Sequence, residues 1–302
     1  MEFLDRILPV VDFGSNLRDI PYRSLQGYKL PLIKYYEGTI NMNNDILFVT
    51  ENNIATISLN RPQYGNAFTI DMYKEVQGHL NECGSNESIR AVVIKGEGKN
   101  FCTGGDIQKF KELIETKTFI TEEMVLSTGA MTRAVRKCLK PVIAMINGAA
   151  AGAGFGLALS CDFRIMSKKS KFITSFINMG FSGDSGLIYF LQSYVGIART
   201  TEMLMTSKPV SASEAYELGL CYKVTEEDEL ETATKKLALF LADQPTGAIA
   251  RQKDLINKFF YNNLEEFNKL ETRYMVECSH TKDHSEAIHS FLEKRLPIFT
   301  GK

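Results

Sequence analysis

The segment Asn178 to Gln192, NMGFSGDSGLIYFLQ, holds one carboxylate, Asp184, among mostly glycines, serines and apolar residues. A carboxylate in such surroundings has two readings. As a general acid/base it moves a proton at a substrate atom, a role that contributes about 10²- to 10⁴-fold. As an N-cap it accepts from the first N–H groups of a helix over DSGLIYFLQSYVG, contributing about 1 kcal/mol. Taken alone, the segment favours the cap. The two settings pull the pKa in opposite directions: helix donors lower it, and apolar neighbours such as Phe176, Phe181 and Leu187 raise it.

Two glycine-rich turns could supply the other half of a chemistry. KNFCTGGDIQKF, Lys99 to Phe110, follows the strand-like AVVIKG, and INGAAAGAGFGLAL, Ile146 to Leu159, follows KPVIAM. Small residues let backbone N–H groups approach a ligand, and helix N-termini leave donors free. Two such turns can aim two N–H groups at one oxygen, which is an oxyanion hole. Singly, each run is the mark of tight helix–strand packing. Neither is a phosphate loop: GxxxxGK[ST] is absent, and so is GxGxxG inside a dinucleotide-binding unit.

Other reactive side chains point to structure. Cys83, Cys102, Cys138, Cys161, Cys221 and Cys278 form no CxxC pair and read as reduced core thiols, Cys102 included. His280 and His284 stand at i, i+4, but without a third ligand the pair reads as a solvated helix face, and no metal is expected. His79 falls in a helical stretch, and Tyr189 reads as helical core.

The elements that must position these groups follow from periodicity. ILFVTENNIATISLN gives two strands about an Asn52-Asn53 turn. TIDMYKEVQGHLNEC carries Ile70, Tyr73, Val76 and Leu80 at helical spacing. RAVVIKGEG is a strand, ITEEMVLSTGAMTRAVRKCL a helix starting near Thr121, and KPVIAMINGAAAGAGFGLALSCDFRIM a strand–turn–helix–strand unit, with another strand at SKFITSF. This alternation argues for a parallel α/β core over residues 46–228, and residues 229–302 are helical to the end. Residues 1–45, rich in Tyr, Leu and Pro, are expected to form an N-terminal arm of unknown role. The 302 residues, 24% charged with net charge −1, show no basic run and give no sign of nucleic-acid binding. The acidic start and the absence of a long apolar run lead us to expect a soluble, cytoplasmic protein without membrane partners.

The ordered set LNRPQYGNAF, FCTGGDI, KPVIAMINGAAAGAGFGLALSCDFRI, SASEAYELGLCYKV and FLEKRLPIFTGK resembles the crotonase superfamily, the enoyl-CoA hydratase/isomerase family, from about Ile46 to Lys302. The resemblance implies a crotonase-like spiral of ββα turns with a helical C-terminal region. It implies acyl-CoA thioester substrates, with CoA part of the substrate and no separate cofactor, and a homotrimer or hexamer. It assigns Gly105 and Ala153 N–H to the thioester oxygen, with Gly154 the neighbouring register. It sets Ala67, Thr103, Gly104, Asp106 and Ile107 near the CoA, and Phe291 and Lys294 where a C-terminal helix, of this subunit or an adjacent one, can reach CoA.

The resemblance also sorts the chemistry. The two glutamates of the family's hydratases match Gly156 and Phe176 here, so two-carboxylate hydration is not expected, and dienoyl-CoA isomerases fit poorly. Asp184 matches the acid of the enoyl-CoA isomerases, where GFSGDSG stands for a GxSPEG-like turn. The leading expectation is therefore an isomerase shifting a β,γ double bond to α,β. A biosynthetic relative acting on a CoA- or carrier-protein-bound thioester by ring isomerisation, decarboxylation or C–C cleavage is an alternative. A non-catalytic CoA-thioester-binding scaffold is another. A dehalogenase would use a His and a Trp, and this chain has no Trp.

Overall fold

The computed structural model describes residues 45–302; the expected N-terminal arm lies, but for its last residue, outside the described residues. β1 (Ile46–Glu51) and β2 (Ile54–Leu59) form the expected antiparallel hairpin. Asn52 and Asn53 both take left-handed backbone, φ 51° and 61°. That pairing suits a two-residue hairpin turn, and asparagine tolerates it.

α1 (Ile70–Ser85) is capped by the Thr69 hydroxyl, which accepts from Met72 N, and it buries Tyr73, Val76 and Leu80. β3 (Ala91–Gly96) follows, then α2 (Ile107–Glu115) and α3 (Glu122–Lys137), the last starting at a Thr121 cap as its sequence predicts. β4 (Val142–Ile146), β5 (Ala149–Ala151), α4 (Ala153–Ser160), β6 (Phe163–Ser167) and β7 (Lys171–Ile173) continue the alternation. α5 (Leu187–Thr206) is interrupted at Gly196, φ 73°. Then come β8 (Val210–Ser211), α6 (Ala212–Glu217) and β9 (Lys223–Thr225). α7 (Leu230–Asp243), α8 (Thr246–Phe260), α9 (Leu264–Ser279) and α10 (Lys282–Glu293) make the helical C-terminal region.

The main sheet runs β1-β2-β3-β4-β6-β9, parallel except for β1, and β5-β7-β8 form a smaller sheet. Strands buried on both faces should be apolar; β4 is throughout, and β3 is as far as Lys95 near its end. Alternate residues serve opposite layers: Val92 and Ile94 join the core beneath α1 and α3, whereas Ala91 and Val93 pack with Leu230, Ala238 and Leu241 of α7. α9 lies against α3, so the C-terminal helices share the main core. This is the crotonase fold.

Candidate active site

The two glycine turns meet. Cys102 N donates to Ala149 O at 3.1 Å, and Ala151 N donates to Cys102 O at 2.9 Å. A Cβ on Gly104 would lie 3.1 Å from Ala151 O and 3.8 Å from Ala153 N, at φ +99°, so this approach requires glycine. Phe68 N donates to Gly104 O and Asp106 N donates to Phe68 O, a bridge that leaves Gly105 N–H unused. The first bond of α4 runs from Gly156 N to Gly152 O at 3.0 Å, so the N–H groups of Ala153, Gly154 and Phe155 have no intrahelical acceptor. Gly154 serves packing: a Cβ there would sit 2.5 Å from Cys102 O.

Asp184 lies in a turn with Gly183, Ser185 and Gly186 at φ 121°, 59° and 69°. The capping reading that the segment suggests when taken alone does not hold. α5 begins at Leu187 with Gly186 as its cap residue and no side-chain cap bond. The main chain of Asp184 supplies only its carbonyl, which accepts from Leu187 N at 3.1 Å. The cap comes from elsewhere: Glu271 Oε2 on α9 accepts from Gly186 N and from Asn268 Nδ2, both at 2.9 Å. Asp184 is 7% exposed, and among the described residues its buried Oδ1 has no hydrogen-bond partner. Burial pushes its pKa up to about 7, and the nearby Ser185 and Thr128 hydroxyls offset part of that rise. Their protons are engaged elsewhere: Ser185 Oγ donates to Asp184 O at 2.6 Å and Thr128 Oγ1 donates to Val125 O at 2.8 Å. The apolar surroundings therefore decide the ionisation.

A cavity of about 960 Å3 runs between these parts. Ala67, Thr103, Gly104, Gly105, Asp106, Ile107, Ala153, Asp184 and Phe291 line it. Gly154 and Lys294 do not; Lys294 is exposed at the end of α10 with φ 56°. The Asp106 carboxylate is occupied, capping α2 through Gln108 N at 2.9 Å and pairing with Arg61 Nη1 at 3.0 Å.

This fold agrees with the comparisons. The family model described as enoyl-CoA hydratase/isomerase matches residues 49–302. The chain belongs to the enoyl-CoA hydratase/isomerase family. Two relatives show the range. A trans-2-decenoyl-[acyl-carrier-protein] isomerase from Streptococcus mutans is 29% identical over 85% of this chain and 98% of its own. A 1,2-epoxyphenylacetyl-CoA isomerase from Escherichia coli is 32% identical over the same shares. A crystal structure of an enoyl-CoA hydratase from Mycobacterium avium subsp. paratuberculosis superposes with TM-score 0.78 at 25% identity, covering 85% of this chain and 98% of that one.

The two positions that the resemblance matches to the hydratase acids hold no carboxylate and have little room for one. A Cβ on Gly156 would sit 2.1 Å from Ser185 Oγ, and Phe176, 8% exposed, lines the cavity as an apolar wall. Cys102 is core: burial pushes its thiol up to about 12. Tyr189 is a packing residue, its hydroxyl donating to Phe260 O at 3.2 Å. The solvated-face reading of the histidine pair is corrected for His284. It is 3% exposed, donates from Nδ1 to Met179 O at 2.8 Å and stacks near Phe181, and burial lowers its pKa. Among the described residues no group of three His, Cys, Asp or Glu side chains is arranged to hold a metal. None of the described helices is long and apolar enough to cross a membrane.

Two titratable groups near Asp184 escaped the sequence reading. Glu271 is 5% exposed, and burial pushes it up to about 8; Asp184 adds to that rise. Its signal was a glutamate on the stripe Leu264, Asn268, Glu271, Thr272, Met275, which is the buried face of α9. Tyr73 was read as part of an apolar stripe, which gives no hint of where its hydroxyl goes.

Proposed function

We propose that this protein is an enoyl-thioester isomerase that moves a β,γ double bond to α,β, with Asp184 as the proton carrier. The observation that carries the reading is Asp184 itself. Of the carboxylates lining the cleft, Asp71 and Glu112 are exposed and Asp106 is paired, while Asp184 is buried and its pKa is moved to about 7. A base poised near neutrality suits abstraction at a carbon beside a thioester.

In this mechanism the Asp184 carboxylate takes a proton from Cα, and the C–H electron pair enters the enolate. Negative charge gathers on the thioester oxygen, where the Gly105 and Ala153 N–H groups would each contribute about 3 kcal/mol. The same carboxyl returns the proton to Cγ as the double bond settles between Cα and Cβ. Protons and electrons balance without a cofactor. CoA is the thioester carrier we favour from the family; a carrier protein is the alternative. The resemblance also implies a homotrimer or hexamer, and the exposed Leu255, Phe259 and Phe260 of α8 are consistent with a surface covered by another copy.

The test is conversion of a 3-enoyl-CoA to its 2-enoyl isomer, run beside hydration of the 2-enoyl form. The wild type should isomerise far faster than it hydrates. Asp184→Asn, which keeps volume, should lose about 10²- to 10⁴-fold or more in kcat. Wild-type turnover by Asp184→Asn would remove the role assigned here.

A further inference from the structure

α1 sends a polar side chain into the part of the cleft that holds Asp184. Tyr73 is 6% exposed, and its ring is fixed by stacking on Phe68, centroids 4.6 Å apart at 26°. Both rings line the cavity that holds Asp184. Among the described residues no hydrogen bond to the Tyr73 hydroxyl is seen, and Tyr73 is one of the residues lining the cleft. Burial first, then the Asp184 carboxylate and the Cys102 thiol, oppose its ionisation, so it remains a donor at any physiological pH. Elsewhere along the cleft Ile120, Met124, Val125 and Met275 carry no strong side-chain acceptor, the Thr128 hydroxyl already donates to Val125 O and accepts from Ser185 N, and among the described residues no hydrogen bond joins the phenol to the Asp184 carboxylate that faces it.

A hydrocarbon chain filling this space would exclude solvent from the phenol and leave its proton bare. Buried donors left so are costly, and sites built around one discriminate strongly against analogues that lack the acceptor. We infer that the acyl group carries an oxygen acceptor (hydroxyl, epoxide or carbonyl) on a carbon close to the reacting ones, and that Tyr73 hydrogen bonds to it. The inference rests on the reading of the cleft as an acyl-thioester site, and it narrows the substrate class from alkenyl to oxygenated acyl thioesters.

Equilibrium binding tests it without turnover. Titration calorimetry would compare octanoyl-CoA with 3-hydroxyoctanoyl- and 4-hydroxyoctanoyl-CoA, on the wild type and on Tyr73→Phe, which keeps the stacked ring. The wild type should bind at least one hydroxylated ligand roughly tenfold tighter than octanoyl-CoA, and Tyr73→Phe should bring that ratio close to one. Binding of all three ligands without preference, or a preference that survives in Tyr73→Phe, would overturn the inference while leaving the thioester reading intact. Failure of every ligand to bind would overturn both.

Discussion

Gly156 and Ser185 are in contact across the join between α4 and the Asp184 turn: a Cβ on Gly156 would stand 2.1 Å from Ser185 Oγ, 2.9 Å from its Cβ and 3.3 Å from its carbonyl oxygen. Rotating the Ser185 hydroxyl relieves only the first of these. The position where the resemblance looks for a hydratase glutamate is thus filled by the neighbouring turn. Restoring that acid by Gly156→Glu should yield no hydratase. Gly156→Ala should destabilise the fold by about 1–3 kcal/mol through overpacking, against a helix-propensity gain of about 1 kcal/mol. Ser185→Gly, which removes the obstructing Cβ and suits φ 59°, should recover part of that loss in a double-mutant cycle read by urea denaturation. Additive effects of the two changes would argue against the contact.

Asp184 must be ionised to accept a proton from carbon. With its pKa moved up to about 7, kcat/KM for a 3-enoyl thioester should rise with pH through about 7 and level off above it. An unperturbed aspartate would already be ionised below pH 5, giving a flat profile over the neutral range. A pH–rate series checks this, provided the thioester is stable at each pH.

Glu271 links ionisation to stability. In the fold burial holds its pKa at about 8, against an ordinary glutamate value of 4.5. Between those values the folded chain holds a proton that the unfolded chain has released, so stability falls as pH rises through the window. Asp184 acts in the same direction between 3.8 and about 7, whereas buried His284 acts oppositely below 6.5. Both are shared by wild type and Glu271→Gln, so the difference between those two isolates Glu271. The urea midpoint of the wild type should fall relative to Glu271→Gln as pH goes from about 5 to about 9, by the order of a few kcal/mol. A constant gap would show that Glu271 is ionised throughout.

Asn66 secures the first glycine turn. It is fully buried at φ 57°, accepts from Arg61 N at 2.8 Å, and donates to Glu97 O at 2.8 Å and Asn100 O at 2.7 Å. Asn66→Ala strands one buried donor and two carbonyls and leaves alanine in a left-handed conformation. A loss of about 2–4 kcal/mol is expected in chemical denaturation, with weaker acyl-CoA binding because the loop from Glu97 to Gly105 loses its tie.

Local rules made much of this fold legible. Thr121 marks a helix start by a side-chain oxygen that accepts from an N–H three residues on, and Asn52-Asn53 closes a hairpin by its own local backbone. Asp184 misled as a cap because the residues after it, Ser185 and Gly186, are both left-handed, and the helix donor they expose is satisfied from α9. His284 misled because its i, i−4 neighbour His280 drew attention to the wrong face; its own phase with Ala287 and Ile288 marks the buried one. The Tyr73 hydroxyl and the contact of Gly156 with Ser185 depend on how α1, α4 and the Asp184 turn meet, and no spacing within one segment carries that.

The bond from Gly186 N to Glu271 spans 85 residues of chain. During synthesis the turn bearing Asp184 leaves the ribosome long before the helix that anchors it exists. A nascent chain arrested ahead of α9 would possess the complete six-stranded sheet and both glycine turns, yet the loop bearing Asp184 would still lack its tether. The turn that the proposed chemistry depends on is thus locked only by a segment translated well after it.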